Sequence, residues 1–357
     1  MKTLIVAAGR FDRALAQDIA QGREPRLDMF ELQRALDVPA ERMLDFGDVE
    51  RSTRPDVRAV RKLLGMSAAA AYLAVVQRQG ADAIFTTGED IGLPLAMLLK
   101  LRGIRASHTM IAHSLSPLKK RVFFSAGVGG HLDRVLCYAT IQERLMLEEL
   151  GLERSTVKRI NYQADEHFFR PLDVPEEPDL ICSAGQLLRD YDTLIRATSD
   201  LPVRVRIAAG SPWIAKELRP DGGLPAHVDW RKYNRFELRE LYARSALAVV
   251  PIVQNDYQTG ISTILEMMAM GKCVIATRTR GQTDTIIDNV NGVYVPPGDA
   301  GALRATIQRL LASPEERTRL GRAARAYVEK EAGLDLFVDK ITQTVREAHE
   351  ARFGASA

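Results

Sequence analysis

Cysteine, net charge and long apolar runs are all scarce in this sequence. The chain has three cysteines, Cys137, Cys182 and Cys273, which lie in apolar stretches without the spacing of a metal site or a disulfide framework. This pattern predicts buried thiols in a reducing, cytoplasmic protein. The formal net charge of +3 is too small to indicate nucleic acid binding. No apolar run approaches the roughly 20 residues that a membrane-spanning helix requires.

The first apolar run, residues 4–8, ends in Gly9 and Arg10. It is too short for a signal peptide. No Gly-x-Gly-x-x-Gly follows it, which argues against a dinucleotide-dependent enzyme. In both halves of the chain short apolar runs alternate with helical patterns, and the run 171–178 has the proline-rich composition of a linker. With 357 residues, the chain is therefore predicted to form two α/β domains with parallel sheets covered on both faces.

The most informative stretch is a predicted strand, loop and helix near the middle of the second half. The apolar run 246–253 predicts a buried strand, and helical spacing begins after Gly260. The first turn of that helix comprises Ile261, Ser262 and Thr263. Free amides in such a turn bind an anion such as phosphate, and Gly260 lets the anion approach the backbone. Glu266 lies one turn further along, where it could accept hydrogen bonds from a sugar diol. The stretch thus predicts a nucleotide-sugar site.

These residues resemble the donor-binding motif of the family-4 retaining glycosyltransferases of GT-B fold, also called glycosyl transferases group 1. The motif combines the first-turn Gly260 and Ser262 with Glu266 and a following Met-Ala-x-Gly-Lys-x-Val-Ile-Ala-Thr. The resemblance continues through Gly281, Asp284, Ile286 and the run 291–299. It implies two facing Rossmann-like domains with a cleft between them, which bind the acceptor and the donor respectively. It also implies transfer of a hexose from a nucleoside-diphosphate sugar to a hydroxyl of an acceptor, with retention of configuration at the anomeric carbon. The acceptor would be a glycan, a glycolipid or a small molecule.

The linker composition sets the predicted domain boundary. We place the N-terminal, acceptor-binding domain at residues 1–172 and the C-terminal, nucleotide-sugar-binding domain at residues 173–334. An apolar stripe at helical spacing after residue 334 predicts a final helix. The resemblance implies that this helix, residues 335–357, crosses back onto the first domain.

The catalytic contributions implied by the resemblance fall on His113 and Gln258. His113 follows a predicted strand, and the resemblance places it at the donor hexose. The family usually has an acidic residue eight positions before Glu266, but this chain has Gln258 there. A carboxamide is not a plausible nucleophile, so we expect a front-face route in which the departing phosphate takes the proton of the acceptor.

The donor diphosphate requires positive charge. The family places an Arg and a Lys in the loop that here runs from Gly185 to Arg189, and this chain has Gln186 and Arg189 at those positions. Since Arg binds phosphate with two parallel hydrogen bonds, we assign the diphosphate to Arg189. The predicted donor-binding residues are Gly185, Arg189, Gly210, Tyr233, Gly260, Ile261, Ser262, Thr263 and Glu266.

Asp190 and Asp192 form an Asp-x-Asp pair, which could share a divalent metal with a diphosphate. Acidic residues are also favoured in the first turn of any helix. Because the resembled fold is metal-independent, we expect no metal and no cofactor apart from the nucleotide-sugar co-substrate.

Candidate residues of the acceptor side follow predicted strands of the first domain: Gly9, Arg10 and Glu89. The basic and aromatic run 118–124 has two interpretations. Its phenylalanines pack in the core, or the run contacts an anionic membrane at its inner face. The residues that would make this peripheral membrane contact are Lys119, Lys120, Arg121, Phe123 and Phe124.

Two other functions remain open at this point. A sugar-nucleotide epimerase can share the two-domain architecture, although it would need acid and base side chains around the donor sugar. A non-catalytic nucleotide-sugar-binding relative is the second alternative, and Gln258 and Gln186 favour it.

Overall fold

A computed structural model describes residues 1–115, 118–209 and 223–354, excluding the side chains of Leu118 and Lys119. The chain divides into two units. The first unit comprises residues 1–14, 27–160 and 335–357, and the second comprises residues 15–26 and 161–334. The second unit therefore begins before the predicted boundary at residues 172/173, and it includes a segment from near the N-terminus.

Hydrogen bonds explain why these additional residues group with the second unit. The side-chain amide of Asn161 donates to the carbonyl of Glu331 (3.0 Å). The backbone N–H of Arg26 donates to the carboxylate of Asp165 (2.7 Å), and the Arg26 Nε donates to its other oxygen (3.1 Å). Asp165 is buried, so its charge requires these donors. A contact across 139 residues leaves no local signal in a sequence.

The helices follow one another along both units. In chain order they are α1 (Leu15–Ala20), α2 (Asp28–Ala35), α3 (Phe46–Arg51), α4 (Pro55–Leu64), α5 (Met66–Val76), α6 (Glu89–Leu101), α7 (Leu118–Ser125), α8 (Thr140–Arg144), α9 (Tyr191–Thr198), α10 (Arg235–Arg244), α11 (Ile261–Ala269), α12 (Ala300–Leu311), α13 (Pro314–Tyr327) and α14 (Leu334–Phe353). Among the described residues, no helix combines the length and the apolar composition needed to cross a membrane.

The first unit contains a six-stranded parallel sheet with the order β2-β1-β3-β4-β5-β6. Its strands are β1 (Thr3–Val6), β2 (Met43–Leu44), β3 (Ala83–Thr86), β4 (Ser107–Ile111), β5 (Arg134–Cys137) and β6 (Val157–Arg159). Every residue of β1, β3 and β4 is buried, so helices cover both faces of the sheet. The edge strand β2 has only two residues, which is too short to give the sequence pattern of a strand.

The second unit contains another six-stranded parallel sheet, with the order β12-β11-β10-β7-β8-β9. Its strands are β7 (Glu177–Ala184), β8 (Arg204–Ala208), β9 (Val228–Arg231), β10 (Ser245–Val250), β11 (Val274–Thr277) and β12 (Val293–Val295). Alternate side chains of β7 and β10 enter two separate apolar cores, one on each face of the sheet. The strand order reverses between β7 and β10, and ligands of open α/β sheets bind outside the carboxyl ends of the strands at such a switch point.

Candidate functional site

The loops that follow β7 and β10 are joined to each other at this switch point. The N–H of Asp190 donates to the carbonyl of Pro251 (3.1 Å), and the N–H of Val253 donates to the carbonyl of Leu188 (3.1 Å). Leu188 has a positive φ of 52°, which turns the first loop back toward the second. The two loops therefore form one backbone unit that carries Arg189 at its centre.

The guanidinium of Arg189 is held by three hydrogen bonds within the second unit. It donates to the carbonyls of Ala184 (2.9 Å) and Leu187 (3.0 Å) and to the hydroxyl of Thr263 (3.2 Å). Burial lowers its pKa, but a guanidinium stays charged in proteins. The predicted diphosphate cation is thus fixed in place against the first turn of α11.

Glycine is required at both positions that face this guanidinium. Gly185 (φ 93°) and Gly260 (φ 82°) have left-handed backbone conformations. A Cβ on Gly260 would approach an Arg189 guanidinium nitrogen to 3.2 Å, and a Cβ on Gly185 would overlap the same group. These glycines let the cation lie directly on the backbone.

The first turn of α11 offers unused hydrogen-bond donors. Within the part of the chain that the structure describes, the N–H groups of Ile261, Ser262 and Thr263 donate to no acceptor. Ile261 is buried and anchors the turn, whereas Ser262 is exposed. The positive end of the helix dipole adds to these amides, so the turn and the Arg189 guanidinium together have the donors and the charge that an anion requires.

Glu266 lies one turn further along, on the same face of α11 as Ser262. Its side chain is 13% exposed. The hydroxyl of Tyr242 donates to Oε2 (3.2 Å), and the Arg235 guanidinium lies 3.5 Å from Oε1. Burial raises the pKa of Glu266, while Arg235, Tyr242 and Arg189 oppose this shift. Since each carboxylate oxygen can accept more than one hydrogen bond, Glu266 retains capacity for a pair of hydroxyl donors.

Gln258 and Gln186 have different surroundings, although both replace ionisable residues of the resembled family. The amide nitrogen of Gln258 donates to the hydroxyl of Thr285 (3.4 Å), and its Oε1 is buried without a partner in the described residues. Gln186 is 3% exposed, and its amide nitrogen donates to the carbonyl of Ala209 (3.1 Å). Gln186 therefore links the ends of β7 and β8, which leaves Arg189 as the cation of this loop.

The other predicted donor-side residues fall into three groups. Tyr233 is half-buried between β9 and α10, and the Arg231 guanidinium lies 4.1 Å from its ring centre. Gly210 lies outside the described residues. Asp190 caps α9 by accepting from the N–H of Thr193 (3.1 Å), while Asp192 is exposed. Among the described residues, this acidic pair belongs to no group of three or more side chains that could hold one ion.

His113 and Glu89 lie together in the first unit. Glu89 is 3% exposed, and its Oε2 accepts from the backbone N–H of His113 (2.9 Å). Its Oε1 accepts from the N–H of Ser114 (3.1 Å) and from Lys120 Nζ (2.6 Å). Both oxygens are therefore occupied by the protein, and Glu89 holds the loop after β4 in place.

The imidazole of His113 is exposed above this loop. Its Nε2 lies 3.0 Å from the carbonyl of Thr87. A carbonyl only accepts, so Nε2 carries a proton in this hydrogen bond. Asp28 is an ionisable neighbour of His113 that the sequence did not indicate: burial raises its pKa, while the backbone N–H of Met29 and then the interaction with His113 oppose this shift.

Gly9 and Arg10 follow β1, also in the first unit. Gly9 (φ 135°) is buried, and its carbonyl accepts from the N–H of Phe46 (2.9 Å). Arg10 forms a two-point ion pair with Glu50 (2.6 and 3.1 Å), and its side chain is 73% exposed. The loop is thus fixed, while the Arg10 head group is engaged by a carboxylate at the surface.

The structure does not support the membrane interpretation of the run 118–124. Burial lowers the pKa of Lys120, but the hydrogen bonds and charges of Glu89 and Asp90 together more than compensate, so the pKa is raised and the ammonium is held inward. Phe123 and Phe124 pack against the apolar core under α6 and β4. Arg121 pairs with Glu149 (3.2 Å), and the side chain of Lys119 is outside the described part. The core-packing alternative is therefore the better description.

A comparison with models of protein families identifies the family that the second unit resembles. Residues 164–327 match the family model described as glycosyl transferases group 1. The resemblance inferred from the sequence is confirmed. The matched range covers the loops after β7 and β10, the helix α11 and Glu266.

Curated relatives support this family over part of their length. The chain is 31% identical to the D-inositol 3-phosphate glycosyltransferase of Xylanimonas cellulosilytica over 166 residues, which are 43% of this chain and 39% of that protein. The chain spans 39%, 56% and 61% of the first three curated relatives, which share this name.

Solved structures agree over nearly the entire chain. A glycosyltransferase from Rickettsia africae has a TM-score of 0.69 at 15% identity and covers 97% of this chain and 98% of its own. Anabaena HepE in complex with UDP-glucose has a TM-score of 0.70 at 13% identity and covers 97% of this chain and all of its own. At these identities the likeness shows the fold, and the α/β, GT-B-like fold class predicted from the sequence is confirmed.

Proposed function

We propose that this chain is a retaining glycosyltransferase, which binds a nucleoside-diphosphate sugar on its second unit and transfers the sugar to an acceptor hydroxyl. One observation carries the proposal: the half-buried Arg189 guanidinium lies against Gly185, Gly260 and the first turn of α11. A fixed cation beside free helix amides suits a diphosphate. The match of residues 164–327 to glycosyl transferases group 1 supports the same choice.

The diphosphate is proposed to need no metal ion. The guanidinium of Arg189 supplies a full charge, and the amides at 261–263 supply hydrogen bonds aligned with the dipole of α11. These groups neutralise negative charge that grows on the leaving phosphate as the glycosidic bond breaks. Activity should therefore persist in EDTA.

Glu266 is proposed to bind the ribose. Its two oxygens already accept hydrogen bonds from the Tyr242 hydroxyl and the Arg235 guanidinium. These bonds fix the plane of the carboxylate and leave further lone pairs free. A vicinal diol places two donors at a spacing that one carboxylate can accept.

Transfer is proposed to occur on one face of the sugar. The bond from the anomeric carbon to the phosphate oxygen breaks, and the acceptor oxygen bonds to that carbon from the same side. The acceptor proton passes to the departing phosphate oxygen. Gln258 reads the sugar hydroxyls without forming a covalent bond, since a carboxamide both donates and accepts. The role of His113 at the hexose stays a prediction from the resemblance.

Binding and product identity test the proposal separately. UDP-glucose is the first donor to try because the structurally similar HepE was solved with it, and D-inositol 3-phosphate is the first acceptor because the relatives carry that name. A thermal-shift panel of UDP, GDP, ADP and dTDP should show one strong ligand. Saturation at 100 times the dissociation constant adds about 2.7 kcal/mol to the stability of the unit that binds it.

The products then distinguish the remaining alternatives. A glycoside indicates transfer, a new sugar nucleotide indicates epimerisation, and binding without either product indicates a non-catalytic relative. If none of the four nucleotides raises the melting temperature, the proposal fails at its first step.

A further inference from the structure

Arg235 lies between two carboxylates of the second unit. It is the first residue of α10, directly after the Asn234 cap. Its Nη1 is 3.5 Å from Oε1 of Glu266, and its Nε is 3.9 Å from Oε2 of Glu24. Neither the resemblance nor the spacing of residues in the sequence indicates this cation.

Glu24 belongs to the segment 15–26, which grouped with the second unit. The helix α1 in this segment has no fully buried residue, so it is only lightly packed. The Arg26–Asp165 ion pair anchors one end of the segment, and the Glu24–Arg235 contact is a second, weaker attachment. Arg235 thereby connects a lightly packed segment to the predicted ribose carboxylate.

We propose that Arg235 is a positioning residue for the nucleotide, which fixes the charge and the orientation of the Glu266 carboxylate, and that Glu24 is its second, anchoring partner. This inference rests on the proposed function, because it assumes that Glu266 receives the ribose hydroxyls. Arg235 itself need not touch the ligand.

The surroundings of Glu266 explain why a cation matters there. Burial favours the neutral acid and raises its pKa. The groups that oppose this shift are Arg235 and Tyr242 on α10 and Arg189 before α9. A protonated carboxyl has one donating oxygen and cannot accept a hydroxyl pair at both oxygens. Removing the Arg235 charge should therefore protonate Glu266 at a higher pH and weaken nucleotide binding as the pH falls.

The test measures dissociation constants of UDP and GDP by calorimetry between pH 5.5 and 8.5. In Arg235→Met the pH at which affinity falls should move upward, so that the variant binds about tenfold more weakly than wild type at pH 6 and within about threefold at pH 8.5. Comparing proteins on the same ligand cancels the titration of the phosphate. Arg235→Lys keeps the charge and should restore most of the wild-type profile.

Two further variants separate this role from a general structural one. Arg244→Met removes an exposed ion pair with Glu240 from the same helix and should leave the profile unchanged. Glu24→Gln loosens the segment 15–26 but keeps the Arg235 charge, so it should increase hydrogen exchange of that segment without raising the pH at which binding falls.

The outcomes are distinguishable. A wild-type protein that binds neither UDP, GDP, ADP nor dTDP refutes the proposed function itself. If wild type binds and Arg235→Met is weaker by the same factor at every pH, or if Glu24→Gln shifts the profile as far as Arg235→Met does, the positioning role is overturned. An upward shift in Arg235→Met alone supports it.

Discussion

Each unit has a carboxylate in a helix that follows one of its strands, Glu89 in the first and Glu266 in the second, and the two differ in burial and in hydrogen bonds. In the first unit, the Glu89 side chain is 4% exposed, and its oxygens accept hydrogen bonds from two backbone N–H groups and the Lys120 ammonium. In the second unit, the Glu266 side chain is 13% exposed. It accepts hydrogen bonds from the Tyr242 hydroxyl and, at a longer distance, from the Arg235 guanidinium. The unused amides of 261–263 lie one turn away along the same helix.

This difference shows why position at a strand end does not by itself identify a binding residue. Both carboxylates are mostly buried and both face a cation. Glu89 accepts three hydrogen bonds from the protein, two of them from the loop that carries His113, whereas Glu266 accepts two and is more exposed. Glu89 therefore has a structural role in the loop after β4, and its acceptor-side contact stays a prediction. Ligand binding by Glu266 in the second unit is part of our proposal.

The strongest test of the comparison is Glu89→Ala. It leaves the buried Lys120 charge and two backbone N–H groups without their acceptor, so we expect a loss of roughly 3–5 kcal/mol in the free energy of unfolding of the first unit. Urea denaturation measures this loss. Asp90→Ala is the matched control, because Asp90 also faces Lys120 (3.1 Å) but its side chain is 62% exposed, and it should cost under about 1 kcal/mol.

Nucleotide affinity gives the second half of that test. The folded fraction of Glu89→Ala should bind the nucleoside diphosphate as wild type does. A large loss of affinity with little loss of stability would place Glu89 in the ligand site and remove the contrast.

Arg189→Ala should have the largest effect on binding. It removes the only cation that the described loops present to the first turn of α11, and we expect about 100-fold weaker nucleoside diphosphate binding, or about 2.7 kcal/mol. Nucleoside binding should change far less, because a nucleoside carries no phosphate. Arg204→Ala is the control, since it removes a surface guanidinium paired with Asp179 (2.6 Å) in the same unit.

Equal losses for nucleoside and nucleoside diphosphate would instead show that Arg189 supports the fold of the loop. Loss of activity in EDTA would revive a metal role for Asp190 and Asp192.

Local patterns in the sequence predicted much of this architecture. The alternating runs predicted the parallel sheets. Asn234 and Glu237 have the spacing of a capping box, and both of its hydrogen bonds are present at the start of α10. The strand, loop and helix around Gly260 also form as predicted. Each of these depends on residues within a few positions of one another.

Contacts between distant residues could not be predicted in the same way. Tyr242 and Arg235 reach Glu266 across 24 and 31 positions, and no periodic pattern encodes such a pairing. The inward direction of Lys120 depends on Glu89, 31 positions earlier. A charged residue in a sequence predicts a charge, but its burial and its partner are set by tertiary structure.

Glu266→Ala tests the carboxylate of the second unit, for which we propose ligand binding. It removes the acceptor of the proposed ribose hydroxyls, and we expect a loss of roughly 1.5–3 kcal/mol in nucleotide binding. Calorimetry with the best nucleoside diphosphate measures it. Glu240→Ala removes an exposed carboxylate from α10 and should leave affinity unchanged. Unchanged affinity in a folded Glu266→Ala protein would remove Glu266 from the site.

The smallest expected effect concerns Gln258, whose Oε1 lacks a partner in the described residues. Gln258→Glu replaces a group that donates and accepts with one that only accepts. It should change sugar preference or turnover and leave nucleoside diphosphate affinity within about threefold, under roughly 1 kcal/mol. Gln254→Glu adds the same charge at an exposed position of the loop and is the control.

Chemistry at Gln258 gives the sharpest form of this last prediction. If the side chain reads the sugar without bonding to it, Gln258→Ala retains some transfer, and mass spectrometry of the quenched wild-type enzyme finds no glycosyl adduct at this residue. A glycosylated Gln258 would demand a double displacement with an unexpected nucleophile. Complete loss of nucleotide binding in folded Gln258→Ala would instead show that this loop contacts the nucleotide, because only the sugar end of the donor is assigned to it here.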